Sequence, residues 1–288
     1  MNNSYRIVTD SACDMGVYLS EWGVPSINLT LKFDGEDTIQ RNDEIEPVSF
    51  YNRMREGGVA KTSAVNPEEF ALVLEPILAA GEDVLYLGFS SGLSTTCNSG
   101  RIAANKLAEK YPERKIVVVD SLSASAGFGM LVYLAVKKRE EGATLEENAK
   151  YITSLVPRMC HWFTVDDLVY LKRGGRISPT VAFVGGVLGI KPVLHMDGDG
   201  HLTAKFKVRG RRASIKALAD KLGELMTDKS QGPVFICHAD CADDAALLSS
   251  MIKETYGLDT DITVFTGPVI GAHSGPGTLA LFFIGNER

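Results

Sequence analysis

The chain has 288 residues, 45% of them hydrophobic and 23% charged, a globular composition that excludes disordered, collagenous and coiled-coil proteins. Lys plus Arg number 30 and Asp plus Glu 36, for a net charge of −6; this acidic balance argues against nucleic acid as the main partner, which needs a positive field. Cys13, Cys97, Cys160, Cys237 and Cys241 form an odd, scattered set rather than a disulfide framework. The opening residues lack the basic and apolar regions of a signal peptide. The longest uncharged apolar stretch, Val181 to Ile190, is about half of the ~20 residues a bilayer span requires. A soluble, cytoplasmic protein with at most transient membrane contact is expected.

Apolar runs rich in β-branched residues alternate with helical periodicity, the pattern of an α/β protein. Arg6–Thr9 predicts a buried strand that ends at the polar loop Asp10–Asp14. Ile27–Phe33 predicts a second strand, closed by the turn Asp34-Gly35. A helix starts at Pro47 and stops at Gly57-Gly58. The next carries Asn66 as N-cap, Pro67 at the first helical position, Glu69 three residues after the cap, and Gly81 as stop. Thr62-Ser63, just before it, reads as a hydroxyl pair in a loop. Strands follow at Val84–Phe89 and Lys115–Val119, so the first half predicts a parallel sheet with helices on both faces.

The second half has a different pattern. His161–Thr164 predicts a strand, and the loop Lys172–Arg176 leads to Ser178-Pro179 and a short apolar helix. Pro192–Met196 and His201–Val208 flank Asp197-Gly198-Asp199-Gly200, a hairpin turn signal. An antiparallel hairpin within an α/β chain implies a mixed sheet. Helices at Ala213–Met226 and Asp244–Tyr256 alternate with strands at Val234–Cys237 and Ile262–Phe265, and Leu279–Ile284 closes the pattern. Two α/β domains are expected, 1–158 with a parallel sheet and 159–288 with a mixed one.

Three polar loops, Asp10–Asp14, Ser90–Thr96 and Asp120–Ser125, follow strands of the first half. In open α/β sheets such loops meet at the ligand crevice, although any one of them could simply solvate a strand end. Gly88-Phe89-Ser90-Ser91-Gly92 is a literal G-x-S-x-G, which would make Ser90 the nucleophile of an α/β-hydrolase-type esterase completed by Asp166 and His273. An elbow needs its helix to start at once, whereas Leu93–Thr96 prolongs the loop and Ser94 suits an N-cap. Cys237-His238-Ala239-Asp240-Cys241 offers soft metal ligands but no second cluster, so a buried thiol at a strand end is expected and no metal. Lys172, Arg173 and Arg176, then Lys205, Lys207, Arg209, Arg211 and Arg212, are either solvated surface or a patch for an anionic group or acidic partner. His273, set among the glycines and prolines of 267–277, is either a satisfied core residue or a donor to a carboxylate.

Together these segments resemble the DegV family. The resemblance rests on Asp10-Ser11-Ala12-Cys13-Asp14, Thr62-Ser63, Ser90-Ser91-Gly92-Leu93-Ser94, Asp120-Ser121, Tyr170 to Ser178, Lys191-Pro192 and Gly271 to Gly277, in one order over about residues 5–285. It implies two α/β domains with a long-chain fatty acid, such as palmitate or oleate, in a tunnel between them. It also implies a lipid-binding, non-catalytic partner of a dihydroxyacetone-kinase-like fatty acid kinase, with no cofactor. By the same resemblance Thr62, Ser94 and His273 would hold the carboxylate, with Ser63 and Ser91 in support. Arg209 and Arg173 would engage the kinase or assist phosphoryl transfer. The family's usual L-S-G-T-Y-Q-S-A is here Leu93-Ser94-Thr95-Thr96-Cys97-Asn98-Ser99-Gly100, with Thr95 in place of a glycine. Val181–Ile190 and Leu279–Ile284 are candidates for the tunnel wall or, equally, for core.

Overall fold

The computed structural model describes residues 4–177, 189–226, 228 and 232–288. The chain runs β1 (Tyr5–Asp10), α1 (Gly16–Glu21), β2 (Ser26–Ile27), β3 (Thr30–Phe33), β4 (Gln40–Arg41), α2 (Pro47–Arg55) and β5 (Ala60–Ser63). It continues through α3 (Pro67–Ala79), β6 (Asp83–Gly88), α4 (Thr96–Lys110), β7 (Ile116–Asp120), α5 (Ser125–Glu140) and α6 (Leu145–Leu155). Then follow β8 (Met159–Thr164), α7 (Val169–Arg173), β9 (Ile190–Met196), β10 (Leu202–Arg209) and α8 (Arg211–Leu225). Last are β11 (Phe235–His238), α9 (Ala242–Tyr256), β12 (Ile262–Phe265), α10 (Pro268–Ser274) and β13 (Leu279–Ile284).

The strands form a parallel sheet in the order β2-β1-β6-β7, a small antiparallel sheet β4-β3-β5, and a six-stranded sheet β10-β9-β8-β13-β11-β12. Every residue of β6 is buried, as a strand covered by helices on both faces must be. The last sheet is mixed: β11 and β12 are parallel, and its other pairs antiparallel. α3 starts as its sequence prescribes, with Asn66 and Glu69 exchanging hydrogen bonds in a capping box. β13 serves two cores by simple alternation. Leu279, Leu281 and Phe283 join the cluster under α8 and α9, while Ala280, Phe282 and Ile284 face the large cluster shared with the first half.

Three segments differ from expectation, and the sequence assigns no element to a fourth, around His273. Ile27–Phe33 is not one strand: Ile27 ends β2 beside β1, while Thr30–Phe33 belongs to the antiparallel sheet. Side chains break it, because Leu29 N donates to Ser11 Oγ at 3.0 Å and Asn28 Nδ2 to Asp43 at 3.0 Å. Thr62-Ser63 is strand rather than loop, paired with Leu31 and Thr30. The stretch around His273 is helical, started by Pro268 at its first turn. The loop expected at Lys172–Arg176 is half helix, since α7 runs to Arg173. The short apolar helix expected after Ser178-Pro179, and nearly all of the Val181–Ile190 wall, lie outside the described residues.

Candidate functional site

Two carboxylates knit the polar loops at the ends of β1, β6 and β7. Asp10 Oδ2 accepts from Phe89 N and from Tyr86 Oη, both at 2.9 Å, and its Oδ1 from Ala12 N at 3.2 Å. Asp120 Oδ1 accepts from Ser91 N at 3.2 Å and Leu122 N at 3.1 Å. The loops therefore converge on one end of the parallel sheet. Asp10 is fully buried, and burial pushes its carboxyl up to about 6 against the pull of these hydrogen bonds.

Beside them lies a cavity of about 390 Å³, within the roughly 300–1,000 Å³ of small-molecule sites. Phe89, Phe163, Leu171, Met196, Ala280 and Phe282 give it an apolar body. Thr62, Ser63, Ser91, Ser94, Arg176 and His273 give it polar groups, among which Ser63 and Ser91 are exposed. β5 and α10 bring Thr62 Oγ1 within 2.8 Å of His273 Nε2, although 211 residues separate them. α10 is seated by Asn42 Oδ1, which accepts from Val269 N at 2.9 Å, and by Tyr51, whose hydroxyl donates to Thr266 O at 2.6 Å. Burial, and then the nearby Arg176 guanidinium, lower the His273 imidazole to about 4, so the ring is neutral at pH 7. Ser94 is not a helix cap in the strict sense. α4 begins at Thr96, whose N–H donates to Ser94 Oγ at 3.2 Å, and the two hydroxyls meet at 2.9 Å. Thr95 has right-handed backbone angles of −75° and −4°, so its side chain replaces the family glycine without strain.

The sequence leaves Arg176 open between solvated surface and a patch for an anionic group; it lines the cavity. Its Nε donates to Leu93 O at 3.3 Å, and its guanidinium also bonds the Gly174 carbonyl. Its signal was the Gly-Gly pair before it, which lets the chain turn off α7 toward the mouth. Arg173 and Arg209 are exposed, at the ends of α7 and β10, and neither lines the cavity. Arg211, their neighbour in the basic run, is held by Asp244 at 2.9 Å and by the Gly277 carbonyl at 2.7 Å. The Cys237 thiol meets Ser125 Oγ at 3.2 Å and Thr266 Oγ1 at 3.1 Å, and burial pushes it up to about 12.

The esterase constellation does not form. Ser90 is fully buried, donates to the Gly200 carbonyl at 2.9 Å and accepts from Gly92 N at 3.2 Å. His273 bonds Thr62 instead, and Asp166 bonds Lys191 at 2.6 Å. The glycine after the serines has a packing reason: a methyl group on Gly92 would lie 2.7 Å from the Gly200 oxygen. Ser90 thus joins the β9–β10 hairpin tip to the loop that carries Ser91 and Ser94.

The His273 ring supplies a pH prediction. A histidine lowered on folding contributes stability that is complete above about 6.5 and is lost as pH falls toward 4. His273→Gln should therefore gain on the parent over that window, by up to ~1.4 kcal/mol per pH unit. Denaturant titrations at several pH values measure it, and a constant difference would mean that the ring titrates as a free imidazole.

An α/β protein whose apolar cavity is also lined by hydroxyls, a neutral imidazole and one guanidinium has the lining of a small-molecule binding site. The chain belongs to the DegV family, whose model matches residues 4–286. A DegV domain-containing protein of Clostridium perfringens is 39% identical over 286 residues, covering 99% of this chain and 98% of its own. Among solved structures, a stearic acid-binding protein of Eubacterium ventriosum superposes with a TM-score of 0.88 at 28% identity, covering 98% of each chain. A fatty-acid-binding DegV-family protein of Thermus thermophilus does so at 0.86 and 30%, covering 98% of this chain and 99% of its own.

Proposed function

We propose that the protein carries a long-chain fatty acid, such as palmitate or oleate, in this cavity and presents its carboxylate to a separate dihydroxyacetone-kinase-like fatty acid kinase. The observation that carries this reading is the Thr62–His273 contact in the wall of a largely apolar cavity. A buried carboxylate needs donors; Thr62, Ser94 and the neutral His273 supply them, with Ser63 and Ser91 at the rim. About 14 buried methylenes contribute ~11 kcal/mol gross, from which ordering subtracts several, so tight retention needs no covalent step. Structural relatives named for fatty-acid binding support the ligand class. In this reading the protein is a cytoplasmic carrier without cofactor, its domains being 1–158 and 159–288, touching membranes only in passing.

The test is native mass spectrometry of the purified protein followed by lipid extraction. About one fatty acid per chain is expected, and Thr62→Ala or Ser94→Ala should weaken retention about tenfold without unfolding. A protein that neither copurifies with nor takes up palmitate or oleate would refute the reading. Arg209 and Arg173 are the exposed cations assigned to the kinase. Arg209→Ala should leave retention unchanged and cut acyl-phosphate turnover by the kinase at least tenfold, as losing a charge-assisted contact would; normal turnover would remove Arg209 from that role.

A further inference from the structure

Among the buried residues that line the cavity is a pair of rings that the carboxylate reading does not use. His161 on β8 and Phe282 on β13 both line it, at 4% and 2% exposure. They meet edge to face, with ring centroids 5.4 Å apart and planes at 89°. Ser63, Ser91 and Thr95, which also line it, are exposed, so the rings belong to the buried part of the lining. His161 is fixed through Nδ1, 3.0 Å from the Met159 carbonyl, and through Nε2, 3.4 Å from Ala124 N. Burial keeps it neutral, compatible with hydrocarbon. Gly127 of α5 packs against both rings: a methyl group there would lie 2.5 Å from His161 Nε2 and 2.6 Å from Phe282 Cδ1. Neither ring could stay where it is with any larger residue at 127.

We propose that His161 and Phe282, seated against Gly127, form a floor that sets the longest acyl chain the cavity accepts. This rests on the fatty-acid reading and adds to it the residues that select among fatty acids. Each buried methylene is worth about fourfold in affinity, so a floor raised by roughly one carbon–carbon step rejects the longest chain while sparing shorter ones. Phe282→Leu acts in the opposite sense by removing ring atoms from the floor.

The experiment is competitive loading of the delipidated protein with saturated acids from laurate to arachidate, read by native mass spectrometry. Gly127→Ala should disfavour the longest acid the parent holds by roughly fourfold relative to the next even-numbered acid below it. Phe282→Leu should move the preference toward longer acids. Circular dichroism establishes that each variant is folded; if Gly127→Ala is not, Phe282→Leu decides alone. A ranking of chain lengths identical to the parent's in the folded variants would overturn the floor while leaving the carrier reading intact. A parent that loads no acid would overturn both.

Discussion

Gly174→Ala is expected to lower fatty-acid retention by tenfold to about a hundredfold while leaving the fold in place. Gly174 caps α7 with φ −71° and ψ −13°, angles that any residue adopts, so alanine brings no backbone strain. Its methyl group, however, would fall well inside contact distance of His273 Nδ1. The ring must then leave Thr62, and the carboxylate of the proposed fatty acid would lose a hydrogen bond of the charged kind, worth about 1.5–3 kcal/mol. A double-mutant cycle separates this from general damage. In a His273→Ala background the Gly174→Ala change should cost almost nothing, because its target is gone. Equal losses in both backgrounds would mean that Gly174 acts through α7 and not through the imidazole.

Asp10→Ala should be the most destabilising of these substitutions, at about 3 kcal/mol. It strands Phe89 N, Tyr86 Oη and Ala12 N in the interior, and each orphaned buried donor costs about 1–3 kcal/mol. Recovery of the carboxylate's own desolvation, visible in its raised pKa, offsets part of that sum. For a chain of this size the midpoint of thermal unfolding should fall by roughly 6–12 °C. Asp120→Ala is the comparison. Its partners Ser91 and Leu122 are exposed and half-buried, so water can replace the lost acceptor and the cost should stay near 1 kcal/mol. Calorimetry giving equal shifts for the two would deny Asp10 its place as the tie between the loops.

How much of this was legible in the sequence follows from how local each determinant is. The start of α3 was readable because the Asn66 box is complete within four residues, and the β9–β10 hairpin because its turn announces itself. The mixed second sheet followed from that hairpin. β5 was not readable: Ala60-Lys61-Thr62-Ser63 has no apolar alternation and is a strand only because β3 lies beside it. The break between Ile27 and Thr30 is made by Ser11 and Asp43, distant in sequence. In the site, no spacing rule could have joined Thr62 to His273, and only the family resemblance did so. The same distance explains why Ser90 resembled a nucleophile: its true partner, the Gly200 carbonyl, lies 110 residues away.

The alternation of β13 has a consequence for how such a protein can diverge. Leu279, Leu281 and Phe283 hold α8 and α9, whereas Ala280 and Phe282 face the cavity. Adjacent positions of one short segment therefore answer to different demands: packing alone screens Leu279, Leu281 and Phe283, whereas Ala280 and Phe282 answer both to packing and to whatever fills the cavity. With the proposed fatty acid in the cavity, lineages can drift in ligand preference through Ala280 and Phe282 while the helical layer behind them is inherited intact.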